Sequence, residues 1–368
     1  MARLPRVAVI TVSYNHARFL RDTFQSCAAV TYPRDLWKIF LVDNASTDET
    51  VTLARTELID ETRGLTRAGN ISAIFIASPT NTGFTGGNNL AIRQALAEGF
   101  EYVYLLNPDT AVEPDFLEQA VRVAEQDPAI GMVQSRLVLA QDKSLLNSWG
   151  NEVHYLGFSF CGGYRVPIES QEAVEHLRVR DIPAASGAAM LLKVAVLRLV
   201  GLLDDELFAY HEDVDLSWRM RLAGFRVVLA PESVVYHKYE FSRSIRKFYF
   251  MEKNRFLVHL KNLRVGTLIL LAPALIVMEL GLWLYAARSG WWREKARAYR
   301  YFFSLTNLRK LAASRRESQR LRVKSDRAVV RMFSPRISYQ ELPNPLWEYV
   351  GNHMFALYWY LVRSCIFW

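Results

Sequence analysis

The residues best suited to chemistry are a few carboxylates and one histidine. In YVYLLNPDT, residues 102–110, five apolar or aromatic residues lead into Asn107 and Pro108 and then Asp109. The apolar run reads as a strand buried on both faces, and Asn-Pro marks its end. An acid at that point is either a turn or helix-cap residue, or a metal or substrate ligand at the sheet edge where open α/β proteins place their sites. Asp43 ends a second apolar run, WKIFLVD, where its carboxylate could accept a hydrogen bond from the imide N–H of a pyrimidine base. In GLLDDELFAYHEDVDLSWRMRLAG, residues 201–224, Glu212, Asp213 and Asp215 crowd into the start of a helical segment. Asp215 and Arg219 are four apart and should pair on one helix face, while Glu212 suits the positive end of the helix dipole. Asp213 has no such partner. Beside Leu207, Phe208 and Trp218 it is either part of a solvated acidic turn or a desolvated carboxylate able to act as a base. His237, in VVYHKYEFS, follows another apolar run. A lone histidine is often structural, but a neutral imidazole together with Asp109 suits a divalent metal.

Such residues need a scaffold that brings distant segments together. Short β-branched or aromatic runs at 6–12, 38–42, 71–77 and 102–106 alternate with helical stretches near 16–29, 49–60 and 87–98. This is the rhythm of a mostly parallel, doubly wound α/β sheet. The loops after its strands share one edge, so Tyr14 and Asn15, Asp43 to Ser46, Asn81 to Asn89 and Asn107 to Asp109 converge. Ser46 and Glu49 have capping-box spacing, which assigns them, with Asp48, to a helix start. Gly83, Gly86 and Gly87 match neither a dinucleotide fingerprint nor a P-loop. Their loop is either a tight turn capped by Asn88 or Asn89, or one that lets backbone N–H groups approach a phosphate.

The chain has 368 residues, 51% of them hydrophobic and 12% aromatic, which allows a full core and two domains, or one large domain with an appendage. Cys27, Cys161 and Cys365 lie far apart without a C-x-x-C pair. They indicate neither a disulfide framework nor a cysteine zinc site, and fit a reducing setting. The N-terminal MARLPRVAVITVSYN reads as a first strand rather than a signal peptide. Charge divides the chain: residues 241–368 hold 23 Lys and Arg against 7 Asp and Glu, whereas residues 1–240 hold 22 against 30. The basic part calls for an anionic partner, nucleic acid or a membrane surface. Residues 265–287 are long enough to span a bilayer, although Pro273 and Glu279 interrupt them. A single span would carry the 15 Lys and Arg of residues 288–345 across, against the positive-inside rule. A re-entrant or interfacial hairpin is therefore expected, with RKLAASRRESQRLRVK on anionic headgroups and NPLWEYVGNHMFALYWYLVRSCIFW at the interface. The alternative is a buried helical module that makes a homo-oligomer.

Seven stretches, VAVITVSYN, FLVDNASTDET, NTGFTGGNN, LLNPDT, SGAAMLL, LFAYHEDVDLSWRMRLAG and VVYHKYEFS, carry a resemblance. In this order, over residues 6 to 260, they resemble the inverting glycosyltransferases of family 2, in particular the rhamnosyltransferase-like branch. The resemblance implies a GT-A fold in residues 1–260, followed by a basic, aromatic helical tail in residues 261–368. It also implies a dTDP- or UDP-linked sugar donor, a divalent metal (manganese or magnesium), and a glycan or polyprenyl-diphosphate-linked acceptor. The setting it implies is surface polysaccharide synthesis at the cytoplasmic face of the membrane, with no nucleic-acid partner. Matched by position, the nucleotide would lie against Thr11, Val12, Tyr14, Asn81, Gly83, Asn107 and Pro108, with Asp43 holding the base. Asp109 would be the metal-binding acid of a D-x-D-type motif whose first acid is Asn107 here, and His237 would assist the metal. Asp213 would be the catalytic base, and Ser186, Gly187, Ala188 and Glu212 would line the acceptor or donor-sugar pocket. A single displacement needs no covalent enzyme intermediate, which agrees with the absence of a recognisable activated Ser or Cys. Two other classes fit parts of the chain. A sugar nucleotidyltransferase would need a basic residue over the triphosphate, which TVSYNHARF matches poorly. Nucleic-acid binding fits the arginine-rich tail but not the apolar run beside it.

Overall fold

The computed structural model describes residues 3–239, 246–339 and 347–368. Glu240 to Ser242 of the VVYHKYEFS stretch and Asn344 to Leu346 of the aromatic C-terminal run lie outside the described residues. The expected alternation is present: strands Val7–Ser13, Trp37–Asp43, Ala73–Ala77 and Tyr102–Leu106 are separated by helices Ala17–Ala28, Thr50–Leu53 and Gly83–Ala97. These four strands lie side by side and parallel. All five residues of Tyr102–Leu106 are buried, as a continuous apolar run in a covered parallel sheet requires. Helices cover both faces. Leu20 and Phe24, then Leu117 and Val121, pack on one side; Ala91 and Ile92, then Leu216 and Met220, pack on the other.

The main sheet has ten strands. Beyond Tyr102–Leu106 come Ala189–Lys193, Ile130–Leu139, Arg226–His237 and Arg180–Asp181; Thr110–Val112 joins Arg226–His237, and Leu146–Ser148 joins Ile130–Leu139. Two pairings matter for the site. Ala189–Lys193 runs antiparallel to Tyr102–Leu106 with Ala189 opposite Leu106, which sets Ser186 to Ala188 beside Asn107. Arg226–His237 is antiparallel to Thr110–Val112 with His237 opposite Thr110, which sets His237 beside Asp109.

Several local expectations change. The capping box does not form: the helix begins at Thr50, Asp48 Oδ1 accepts the Thr50 N–H at 3.0 Å, and Ser46 Oγ accepts the Asn15 N–H at 2.9 Å. A cross-tie between neighbouring loops replaces local capping. The expected helix over 49–60 is a single α-turn, then a π-type turn at Ala54–Leu58. The glycine-rich stretch is not a loop before a helix but the helix's own first turns, starting at Gly83. The 265–287 stretch makes no re-entrant bend. It is one helix, Val265–Arg288, because Leu271, Ala274 and Met278 are buried on both sides of Pro273 and hold its course.

That helix belongs to a helical region comprising Arg246–Asn262, Val265–Arg288, Trp292–Tyr301, Leu305–Arg320, Asp326–Val330 and Asn352–Val362. A third apolar cluster, including Trp218, Leu222, Leu257, Met278, Phe333 and Trp359, joins it to helix Glu212–Leu222. Charge joins them too. Asp215, with no exposed surface, accepts from Arg219 at 2.8 Å as its i,i+4 spacing predicts, from Lys261 at 2.9 Å and from Asn262 at 3.0 Å. Burial acts to raise the Asp215 carboxyl, but Lys261 and Arg219 outweigh it and draw the pKa down to about 2. The ionised pair therefore stabilises the fold above the ordinary carboxylate pKa, and that contribution is lost as the pH falls through about 2. Asp215→Asn should cost about 3–5 kcal/mol at neutral pH by stranding buried cations, and should flatten the acid limb of the stability curve. Chemical denaturation across pH checks both; an acid limb matching that of the unaltered protein would contradict the pairing.

Candidate active site

The site is assembled at the carboxyl edge of the parallel strands. Asn15, in the left-handed region at φ 58°, uses its Oδ1 to accept the Thr47 N–H at 2.7 Å, tying the first loop to the second. Asn44 ties the second to the glycine helix: it donates to Gly83 O at 2.8 Å and accepts from Thr82 N at 3.0 Å. Gly83 is required there. Its φ is 74°, and any Cβ would run into the Phe208 carbonyl and ring. Asp43 is buried and accepts from Ser46 N at 3.2 Å, so its carboxylate also closes its own turn. Thr11 is buried within its strand opposite Leu41, and Val12 stands opposite Val42. Tyr14 is exposed at the edge. Asn81 accepts from Gly83 N at 2.9 Å and from Asn44 at 3.1 Å. The structure therefore ties these loops together at one edge, with Asn44 as the tie that spacing did not single out.

Asn107 donates its N–H to Ala188 O at 2.9 Å. The buried Thr23 hydroxyl lies 2.6 Å from the Pro108 carbonyl and 2.7 Å from the Thr110 carbonyl, bracing the turn from helix Ala17–Ala28. The turn sets Asp109 Oδ1 3.4 Å from His237 Nε2. This separation is long for a hydrogen bond. It is close to the spacing of two ligands each about 2.1 Å from one ion. Asp109 Oδ1 is buried with no hydrogen-bond partner among the described residues. His237 Nδ1 lies 2.9 Å from Asn147 Oδ1. With a proton on Nδ1 donated to Asn147, Nε2 would be free to bind an ion beside Asp109, the arrangement that orients a metal-binding imidazole; with no ion bound, an Nε2–H can face the carboxylate instead. Burial pushes the Asp109 carboxyl up, but His237 and His16 outweigh it and hold it below the usual range. The residues thus fit a divalent ion. Among the described residues no group of three or more His, Cys, Asp or Glu offers a complete cage, so diphosphate oxygens and water would supply the remaining ligands, as is usual for magnesium.

Across the Ser186–Ala188 bend lies the second carboxylate. Gln134 Oε1 accepts the Ser186 N–H at 2.6 Å, and the Gly187 N–H donates to Asp213 Oδ2 at 3.1 Å. Asn151 also donates to Asp213 Oδ2 at 3.1 Å, and Val214 N donates to Oδ1 at 2.7 Å. Burial raises both Asp213 and its neighbour Glu212, and in Glu212 the charge of Asp213 adds to the effect. Three N–H donors favour the ionised form of Asp213. Glu212 Oε2, buried and without a hydrogen-bond partner among the described residues, lacks such help. The pair therefore differs internally: Asp213 is the better proton acceptor and Glu212 the better keeper of a proton.

The approach to this helix is strained. Phe208, Tyr210 and His211 all have φ between 64° and 68°, an uncommon region for non-glycine residues. Asn254, from Arg246–Asn262, holds the loop by donating to the carbonyls of Leu207, Ala209 and Tyr210 at 2.8, 2.9 and 2.7 Å. Asn147, Asn151, Gln134, Thr23 and Asn254 are amides and a hydroxyl with no motif of their own; only strand and helix pairing reveals them. His16, directly after Asn15, lies close enough to Asp109 to feel its charge, and the sequence reading did not single it out.

The family described as glycosyltransferase like family 2 matches residues 5–257. The chain belongs to that family. Among curated proteins it is 28% identical over 246 residues to protein y4gI of Sinorhizobium fredii, covering 66% of this chain and 25% of that one. It is 24% identical over 228 residues to a poly-beta-1,6-N-acetyl-D-glucosamine synthase of Staphylococcus aureus, covering 62% and 48%. The chain thus spans a quarter to about half of the length of these relatives. Among solved structures it is similar to a mannosyltransferase from Pyrobaculum calidifontis in complex with GDP-Man and Mn2+, with TM-score 0.53 and 18% identity over 98% of this chain and 88% of that one. It is also similar to GalNAc-T7 with UDP, GalNAc and Mn2+, with TM-score 0.54 and 18% identity over 71% and 49%. These likenesses show the fold: a GT-A-like, mostly parallel sheet followed by a helical region.

Asp109→Ala should remove most of the manganese dependence of nucleoside-diphosphate binding, and Asn147→Ala should weaken metal-assisted binding by about tenfold. Calorimetric titration of a nucleoside diphosphate with and without manganese measures both. Unchanged metal dependence in Asp109→Ala would remove Asp109 from the metal site.

Proposed function

We propose that the protein transfers a hexose, with inversion, from a dTDP- or UDP-linked donor to a hydroxyl of a glycan or polyprenyl-diphosphate-linked acceptor. Rhamnose is among the proposed sugars on the strength of the motif resemblance. The observation that carries the reaction is a contrast between one carboxylate and a pair of them on either side of the Ser186–Ala188 bend. Asp109 is held ionised by His237 and His16, whereas the Glu212–Asp213 pair is pushed up by burial. Environments that separate the pKa values of nearby acids assign them different roles.

Asp109 and His237 would hold the divalent metal, manganese or magnesium, which when bound stabilises the negative charge of the departing diphosphate. Tyr14, Asp43, Asn81 and the first turn of the glycine helix flank the nucleotide side, with Thr11, Val12, Asn107 and Pro108 forming its floor. On the opposite side, Asp213 Oδ2 takes the proton of the acceptor hydroxyl as its oxygen bonds to the anomeric carbon and the bond to the diphosphate breaks. The Gly187 and Asn151 donors orient Oδ2 for that transfer. Glu212 keeps its proton and meets a sugar hydroxyl with Oε2. A lipid-linked acceptor places the enzyme at the cytoplasmic face of the membrane.

Asp213→Asn retains size but cannot accept the proton. Turnover should fall by roughly a hundredfold or more while donor affinity stays near its original value. Asp215→Asn, on the same helix turn, should cost stability and leave more activity per folded molecule. Rates measured at saturating donor on folded protein separate the two; near-normal turnover of Asp213→Asn beside an inactive Asp215→Asn would assign the base to the wrong carboxylate.

A further inference from the structure

Helix Val265–Arg288 has a buried side and an exposed side of opposite character. Outward lie Val265, Ile269, Ile276, Leu280 and Leu284, each at least 60% exposed, along one stripe of i+4 and i+7 steps. Asn352–Val362 packs beside it, with the Tyr358 hydroxyl donating to Leu270 O at 2.6 Å, and adds exposed Met354, Leu357 and Leu361. Neither helix shows an acid on this side; Glu279 is turned inward. Two rows of exposed aliphatic side chains on adjacent helices form one apolar surface.

The helix is long and apolar enough to cross a membrane, and 24 residues reach about 36 Å. Its inner side, however, is fastened to polar protein along its length. The Arg264 N–H and the Thr267 hydroxyl donate to Asp326 at 2.8 and 2.6 Å at one end. In the middle Glu279 pairs with Arg255 and, at 2.7 Å, with Lys295, which also pairs with Glu252 at 2.6 Å. Crossing a bilayer would carry these ions and the basic helix Trp292–Tyr301 into hydrocarbon.

The surroundings of the surface match a membrane interface. Arg264 and Arg288 flank the first helix, Arg363 follows the second, and Arg293 lies just beyond; all are exposed. Trp292, Tyr285 and Tyr360 are about half-exposed on these helices or at their ends. Aliphatic side chains bordered by arginine and interfacial aromatics suit acyl chains below anionic headgroups. A protein partner would call for about one hydrogen bond per 100–200 Å², and the aliphatic rows offer none.

We infer that Val265–Arg288 and Asn352–Val362 form a lipid-binding face that lies in the plane of a single leaflet and does not cross it. This rests on the membrane setting proposed above and not on the sugar-transfer chemistry. The test uses full-length protein and vesicles of phosphatidylcholine mixed with phosphatidylglycerol. The protein should co-sediment, and the combined exposed-site variant Leu280→Glu, Leu284→Glu, Leu357→Glu should lose about tenfold or more of that binding with its thermal midpoint and donor binding unchanged. Arg288→Gln with Arg293→Gln should weaken binding to the anionic vesicles and reduce its salt dependence. For sidedness, Arg264→Cys and Ser289→Cys, each with Cys161→Ser and Cys365→Ser, should both react with an impermeant maleimide from the outside of inverted membrane vesicles. Absent vesicle binding, binding unaffected by the three glutamates, or labelling of only one helix end would overturn the inference. So would a variant whose only effect is loss of an oligomer by light scattering, which would make a second copy the occupant. Donor turnover with a water-soluble acceptor, followed in the same samples, reads the sugar-transfer proposal separately.

Discussion

A carboxylate with no exposed surface must find positive charge inside the protein, and Asp215 finds it in two different parts of the chain. Arg219 comes from its own helix and Lys261 from the helical region; Asn262 completes the set. Arg219 spends its other donors on the Val200 and Leu202 carbonyls at 2.5 and 2.6 Å, so the same ion also pins the segment leading to the strained loop. Removing the carboxylate itself leaves the buried Arg219 without its acid, which is far costlier than losing a surface pair. The direction of helix Glu212–Leu222, and with it the aim of Asp213, depends on this knot.

Helix Arg246–Asn262 is consequently a back-plate of the site. Its Asn254 clamps the carbonyls of the left-handed loop, and its Lys253 reaches the Glu206 carbonyl at 2.6 Å. Backbone strain survives only where the surroundings over-determine it, and here the Asn254 amide, shared among three carbonyls, does so. On the other side of the sheet edge, strand register performs the equivalent work: pairing of His237 with Thr110 and of Ala189 with Leu106 brings residues more than 80 positions apart into one cleft. Helix and register together allow one cleft to hold an ionised acid and a desolvated pair.

Much of the first half was legible because its signals are local. Apolar runs such as Tyr102–Leu106 can only be buried strands, and their loops must converge. The Asp215–Arg219 pair followed from helical spacing alone. What was not legible depends on contacts across the fold. The Ser46–Glu49 box was chemically reasonable, but the tie from Asn15 to Ser46 and Thr47 competes with it and prevails. The glycine stretch read as a loop because its glycines have poor helix propensity, yet tertiary packing against Phe208 and Val12 makes it a helix. Asn147 and Asn254 have no pattern at all; their roles exist only once strand Arg226–His237 and helix Arg246–Asn262 are in place. The tail's composition pointed to an anionic partner, nucleic acid or a membrane surface, while Glu279, an interruption in the sequence, became the anchor that keeps the helix on the protein.

The central claim is a single displacement with Asp213 as the base, and its stereochemistry tests it without reference to any one sugar. Proton NMR of the anomeric centre in the product formed from a donor of defined configuration is the direct measurement. The account predicts the opposite anomeric configuration to that of the donor from the first turnover. Retention of the donor's configuration would require a second displacement or a front-face mechanism, and would contradict the role given to Asp213.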